Sequence, residues 1–408
     1  MTKLRVLHVI GGGDTGGAMT HLLPLLTALD AKECDVHLLC LGEGGLAENA
    51  RSRGLPVQVL SMRNAWDPSA LGPLRRVLSA GPGDRHSAES WDVVHTHGMR
   101  ANLPVRSLLP RGKRRPCLLT TVHSDLLLDY GSPALARTYQ VLDVATAPLV
   151  DTIICVSESL RSLLVERGYP RDKLVSIWSG VETSTAAHDG RAGGPEAGLA
   201  LRSRPGRRDD GGSSPRIGTV ARLVSVKDLA LLLEVVARLQ QSLPGLRCLV
   251  VGDGPERARL EARAAELGIS RALEFPGRLD DIRGPLASLD VYVVTSVFEG
   301  GVSMSALEAM SAGLPVVTTE AGGVAEAVKD GETGFVVDRG QDRGALVSAL
   351  AERIAALLGD HELRVRMGEA GAARVRAEFL VERTASRTLR VYRRCLIARG
   401  RRLTMGTA

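Results

Sequence analysis

Short runs of Val, Ile and Leu recur along this chain, spaced so that one helix fits between most neighbours. LRVLHVI (4–10), DVHLLCL (35–41), VQVL (57–60), DVVHTH (92–97), CLLTTVH (117–123) and TIICVS (152–157) each read as a strand. Between them the apolar positions take helical spacing, as at Leu22, Leu25, Leu26 and Leu29. Apolar strands alternating with helices predict a parallel sheet covered on both faces. The rhythm breaks over 183–215, TSTAAHDGRAGGPEAGLALRSRPGRRDDGGSSP, where Gly, Ser, Ala, Pro and charge leave too little apolar surface to order a core.

The rhythm then restarts with RIGTVA (216–221), RCLVVG (247–252), LEFPG (273–277), VYVVTS (291–296), PVVTT (315–319) and GFVV (334–337). The pattern predicts an α/β protein of two doubly wound, Rossmann-like domains, 1–182 and 216–385. A flexible linker or insertion over 183–215 joins them, and a helical tail follows over 386–408. Ligands of such folds bind beyond the carboxyl ends of the strands, so a central cleft faced by both domains is the expected site.

Composition narrows the partners. The chain has 408 residues, enough for two or three domains, and is 44% hydrophobic. Aromatic residues make up only 3%, which argues against stacking platforms for nucleic acid, while a net charge of +6 favours an anionic partner such as a phosphate, a nucleotide or an acidic membrane. Six cysteines, Cys34, Cys40, Cys117, Cys155, Cys248 and Cys395, lack CxxC spacing, and several lie in strand-like runs, so they read as buried thiols in a reducing, cytoplasmic setting without a zinc site. No apolar run reaches about 18 residues, the length of a membrane span. MRANLPVRSLLPRGKRRP (99–116) gathers Arg100, Arg106, Arg111, Lys113, Arg114 and Arg115, which reads either as a docking patch for an anionic membrane or as a solvated basic loop.

Three groups of residues carry candidate chemistry. GGGDTGGAMTHLLPLL (11–26) leaves the first strand and opens a helix, where glycines let backbone amides approach an anion; Gly11-x-Gly13-x-x-Gly16 equally fits a dinucleotide fingerprint or a merely tight turn. ARLVSVKD puts Arg222 and Lys227 just past the first strand of the second half, and VVGDGPE puts Gly252 and Gly254 past the next. A guanidinium fork and an ammonium there suit a diphosphate, or are solvated surface charges. FEGGVSMSALEAM places Glu299 in a turn and Glu308 inside the helix that follows. Glu308 can accept from both hydroxyls of a ribose, or, since Ser305-x-x-Glu308 matches a capping box, from a backbone amide.

Together ARLVSVK, VVGDGPE, FEGGVSMSALEAMSAGLPVV and EAGGVAEAVKDGETGFVV strongly resemble the retaining GT-B glycosyltransferases of family 4, and the N-terminal glycine loop, DVVHTHG and TTVHS agree. The resemblance implies a nucleotide diphospho-sugar in the second half and an acceptor, a glycan, glycolipid or small molecule, in the first. It makes Arg222 and Lys227 the diphosphate clamp, Glu308 the ribose contact and Glu299 the donor-sugar contact. Gly300, Gly301, Val302, Ser303 and Met304 would supply amides. Gly16, Gly17 and His123 would close over the reacting centre, with His97 on the acceptor side; each histidine reads equally as a structural residue of a strand end.

The chain departs from that pattern in three places. Glu299 and Glu308 are one residue further apart, Asp228 stands where the family has glycine, and SIWSGVETS (176–184) replaces the usual junction. Asp228 puts a carboxylate where it could occupy Lys227. The expected reaction is sugar transfer with retention, the leaving diphosphate taking the acceptor proton, with no cofactor and, in the absence of a D-x-D pair, no required metal. A sugar-nucleotide epimerase and a catalytically silent binding protein are the alternatives. A dehydrogenase is disfavoured because the second-half motifs do not support a dinucleotide reading of the glycine loop.

Overall fold

A computed structural model describes residues 3–12, 17–31, 33–64, 67–80, 90–110, 112, 115–129, 132–182 and 214–401. Gly16, the segment 183–213, and Arg111, Lys113 and Arg114 of the basic stretch lie outside the described residues. The chain divides into two units, Met1–Gly180 with Val381–Ala408, and Val181–Leu380. The last segment, expected as a separate tail, therefore belongs to the first unit.

The first unit holds a parallel sheet of seven described strands: β1 Leu4–Ile10, β2 Cys34–Cys40, β3 Val57–Val59, β4 Val93–His97, β5 Cys117–Val122, β6 Thr152–Cys155 and β7 Leu174–Ser176, in the order β3-β2-β1-β4-β5-β6-β7. Order reverses between β1 and β4, where register pairs His8 with His95 and Ile10 with His97. One face of the sheet is covered by the helix Gly17–Asp30 and by the C-terminal helix Val381–Ala398, whose Val381, Ala385, Leu389, Tyr392 and Leu396 recur at helical spacing and are buried against Val6, Leu22, Leu26 and Leu119. Cys395 of that helix forms a disulfide with Cys117 of β5, Cα atoms 6.2 Å apart. The expectation of six thiols is thus corrected for these two. Cys34, Cys40, Cys155 and Cys248 are free and buried, and burial pushes their thiols up to about 12, 11, 12 and 12 respectively.

On the opposite face the helix Met99–Leu108 is anchored by a buried polar network. Arg106 donates to Asp143 at 2.8 Å with both side chains nearly fully buried; Asn102 and Tyr169 also bond Asp143, at 3.1 and 2.5 Å. Arg106 is therefore no surface charge, because a buried guanidinium is tolerated only with such partners. Arg100 donates to the Met62 carbonyl and Arg115 pairs with Asp151, so the basic stretch turns three of its six charges inward or into pairs. No described helix is long and apolar enough to cross a membrane.

The second unit holds β8 Arg216–Val220, β9 Arg247–Val251, β10 Leu273–Gly277, β11 Val291–Val294, β12 Val316–Thr319 and β13 Gly334–Val337, all parallel, in the order β10-β9-β8-β11-β12-β13. Its core packs the helix Leu229–Gln240, through Leu231, Leu232, Val235, Val236 and Leu239, against Ile217, Val250, Val291 and Val293. Each such fully buried leucine stabilises the fold by about 2 kcal/mol. Order reverses between β8 and β11, and that reversal positions the site.

Candidate functional site

At a topological switch point the loops leaving two adjacent strands diverge and leave room for a ligand at their carboxyl ends. In the second unit those loops are 221–228, after β8, and 295–303, after β11. They are stitched together: Val297 N–H donates to the Val226 carbonyl at 2.8 Å and the Thr295 hydroxyl to the Lys227 carbonyl at 3.1 Å. The Lys227 ammonium donates to Glu299 Oε1 at 2.6 Å, and the Ser296 hydroxyl to the same oxygen at 2.6 Å. The Glu299 backbone is held in turn by the loop after β12, its N–H donating to Ala321 O and its carbonyl accepting from Gly323 N–H, both at 2.9 Å. An ammonium and a carboxylate are thereby fixed beside a pocket of about 230 Å³, including its open mouth, lined also by Thr219, Ser303 and Ser305.

Arg222 is exposed on the same loop, and no hydrogen bond or ion pair to its guanidinium occurs among the described residues. Gly252 and Gly254 have a local reason to be glycine. A Cβ at Gly252, whose φ is +135°, would lie 1.9 Å from Ala221 O, and one at Gly254 would lie 2.4 Å from Leu223 O. The loop after β9 thus packs backbone to backbone under the Arg222 loop, sealed by Leu223 N–H to Asp253 O at 2.9 Å.

The helix Met304–Ser311 begins at the end of the FEGG turn, with Ser303 as its N-cap in a positive-φ conformation (φ +54°) and no side-chain cap bond. Ser305 lies inside the first turn, so the capping-box alternative for Glu308 is not built. Glu308 sits one turn further on, half-buried, and its carboxylate accepts no hydrogen bond from any described residue; burial pushes it up to about 7. The amides of the first turn and this unpartnered acceptor flank one strand end.

Asp228 does not occupy Lys227, as its position in the sequence allowed. It caps the helix Leu229–Gln240 by accepting from Leu231 N–H and pairs with Arg339 and with Arg343 at 2.8 Å. Its φ of +43° is left-handed, which explains why glycine is usual there and why Asp, which tolerates that region, can replace it. Sequence reasoning missed Ser296, and also Arg339, which donates to Thr295 O at 3.0 Å and follows the carboxyl end of β13. A basic residue two positions past GFVV was the available signal.

In the first unit the switch point lies between β1 and β4. Gly17 starts the helix after the glycine loop. His97 is 2% exposed with both ring nitrogens occupied: Nε2 meets His8 Nδ1 at 3.0 Å and Nδ1 meets His123 Nε2 at 3.2 Å. It offers no free polar atom to an acceptor. His123, half-buried just past β5, keeps Nδ1 without a partner among the described residues, and burial lowers it to about 4.

Two parallel doubly wound sheets, with cationic and carboxylate groups at the switch point of the second, define the class: a GT-B-type glycosyltransferase. The sequence model of the glycosyl transferases group 1 matches residues 208–374, and that of the glycosyl transferase 4-like domain matches 16–180. The chain is 31% identical over 95% of its length to D-inositol 3-phosphate glycosyltransferase of Corynebacterium urealyticum, covering 92% of that protein. It is 30% identical over 56% of its length to the lipopolysaccharide core biosynthesis glycosyltransferase LpsE of Rhizobium meliloti, and that match spans 60% of the relative. Among solved structures, HepE of Anabaena in complex with UDP-glucose superposes with a TM-score of 0.73 at 20% identity, covering 95% of this chain and all of that one. The chain belongs to the group 1 glycosyltransferases and has their two-domain GT-B fold.

Proposed function

We propose that this chain moves a sugar from a nucleotide diphospho-sugar to a hydroxyl acceptor, with retention at the anomeric carbon. The observation that carries the reading is the bracket of Lys227, Glu299 and Ser296 at the β8/β11 switch point, with Glu308 unpartnered in the adjoining helix. An incoming diphosphate exchanges for Glu299 at the ammonium, and Glu299 is released toward hydroxyls of the donor sugar. Arg222 and the first-turn amides of the helix Met304–Ser311 take the remaining phosphate oxygens. Glu308 accepts from the ribose hydroxyls. As the glycosidic bond breaks, the pair of electrons goes to the diphosphate, whose growing charge Lys227 and Arg222 stabilise; the leaving oxygen accepts the proton of the acceptor hydroxyl, which attacks from the same face.

HepE is seen with UDP-glucose, and the Corynebacterium and Rhizobium relatives act on inositol 3-phosphate and in lipopolysaccharide core synthesis. These support uridine as the first base to test and an envelope or small phosphorylated acceptor. We further propose that the chain works on the cytoplasmic side, at an anionic membrane where the acceptor is a lipid. The test is a thermal-shift screen of UDP, GDP and ADP sugars. A ligand at 100 times its dissociation constant raises stability by about 2.7 kcal/mol. Proton NMR of the product made from the stabilising donor then reads the anomeric configuration. An inverted product refutes retention; epimerisation of the donor without transfer, or binding without turnover over a broad acceptor panel, refutes transfer.

A further inference from the structure

His8 of β1, His95 and His97 of β4, Thr121 of β5 and His123 just beyond it lie on one face of the first sheet, because register pairs His8 with His95 and His97 with Thr121, and the others follow at intervals of two. Tyr392 of the C-terminal helix covers them. The polar atoms form an unbroken chain. Thr121 Oγ1 meets His95 Nε2 at 2.7 Å, His95 Nδ1 meets the Tyr392 hydroxyl at 2.7 Å, and that hydroxyl meets His8 Nε2 at 3.3 Å. His8 Nδ1 then meets His97 Nε2 at 3.0 Å, and His97 Nδ1 meets His123 Nε2 at 3.2 Å. Every ring nitrogen of His8, His95 and His97 is thereby used.

Such a chain has a direction, and proton counting selects it. Burial, then the neighbouring imidazoles, hold His8, His95 and His97 well below the usual imidazole range, so each ring carries one proton at neutral pH. A neutral ring donates from one nitrogen and accepts at the other, so fixing one link fixes all. Thr121 is 3% exposed, and His95 Nε2 is the only partner of its hydroxyl among the described residues. If His95 donated to Thr121, the threonine proton would be left buried without an acceptor. If Thr121 donates, every proton in the chain is placed: His95 Nδ1–H to Tyr392, Tyr392 O–H to His8, His8 Nδ1–H to His97, and His97 Nδ1–H to His123 Nε2. An orphaned buried donor is the costlier arrangement.

We infer that this chain fixes His123 in its Nδ1–H tautomer, so that it meets the substrate as a hydrogen-bond donor and not as a base, with His97, His8 and Tyr392 as positioning residues. The role at substrate rests on the proposed transfer and on the place the family resemblance gives His123, closing over the reacting centre; the tautomer does not. A donor there is consistent with a reaction in which the leaving diphosphate takes the acceptor proton, since no base is then required of the protein. His21 stands edge-on to His123 at 5.6 Å, with Nδ1 buried and unpartnered among the described residues; burial and His123 lower it to about 3, so it adds no charge.

Long-range proton–nitrogen correlation on the full chain, labelled with nitrogen-15 at histidine, reads each tautomer directly. His123 is expected with a protonated Nδ1 and a bare Nε2. Tyr392→Phe cuts the chain, and Thr121→Val removes the donor that sets its direction; each should convert His123 to a mixture. A protonated Nε2 in the parent chain, or a tautomer unmoved by both variants, overturns the inference. With UDP-glucose as probe, Tyr392→Phe should lower kcat for hydrolysis about tenfold with KM within about twofold, the split expected when an interaction of the transition state is lost. If His123→Ala hydrolyses UDP-glucose at the parent rate, the role at substrate is overturned, whatever the tautomer spectrum reads.

Discussion

Lys227 is the residue on which the donor site turns, because it pairs with Glu299 and faces phosphate in the proposed reaction. Charge on the leaving diphosphate grows toward the transition state, so Lys227→Ala should lower kcat about a hundredfold, equivalent to about 2.7 kcal/mol, with a smaller change in donor KM. Steady-state kinetics with the donor found by the screen checks it, and unchanged kcat and KM would reduce the lysine to a structural partner of Glu299. Glu308 makes a different prediction. Its carboxyl is raised from 4.5 to about 7 in the folded chain, so the fold binds more protons than the unfolded state between those values. Stability of the ligand-free chain therefore falls as pH rises from 4.5 to about 7, by about 3 kcal/mol in total, and Glu308→Gln removes that fall. Ribose hydroxyls favour the ionised carboxylate, so nucleotide affinity should strengthen as pH rises through 7 in the parent but not in Glu308→Gln; calorimetry at pH 6 and pH 8 compares them. The sequence made Lys227 and Glu308 legible because each stands at a fixed offset from a strand end. It could not reveal that Lys227 pairs with Glu299, 72 residues away, nor that Asp228 turns toward Arg339 and Arg343.

Elements were legible wherever burial leaves a continuous apolar run. β1, β10 and β13 have the bounds that the sequence implies, while β7 escaped notice because LVS is only three residues long and is preceded by a polar 3-10 turn. Glycine was less transparent. Gly252 invited a ligand reading, yet the backbone of the neighbouring loop already requires it. Gly252→Ala should cost about 3 kcal/mol or more, since the Ala221 carbonyl must move and carry Arg222 with it. Gly268 also has positive φ, +70°, but open space around it, so Gly268→Ala should cost only about 1 kcal/mol. Urea unfolding of the two variants separates close approach from backbone strain, and equal losses would refute the distinction.

At the scale of the whole chain, the disulfide between Cys117 and Cys395 closes a loop with a sequence separation of 278 residues. Reduction should lower stability by about 2–4 kcal/mol, read as a drop in Tm with dithiothreitol that Cys395→Ser reproduces and no longer shows on reduction. Mass spectrometry of the unreduced chain checks the bond itself. Neither the pairing nor the destination of the C-terminal helix was legible, because both depend on contacts between residues far apart in the sequence, which periodicity cannot report. That return has a consequence for how the molecule is made. A ribosome releases the first unit's strands early, but the helix that covers their apolar and histidine-lined face is synthesised only after the whole of the second unit. The second unit, whose residues emerge as one uninterrupted stretch, can close its core while the first still waits. Chains ended at residue 380 and released from the ribosome should therefore carry a protease-resistant second unit and a first unit that is readily digested.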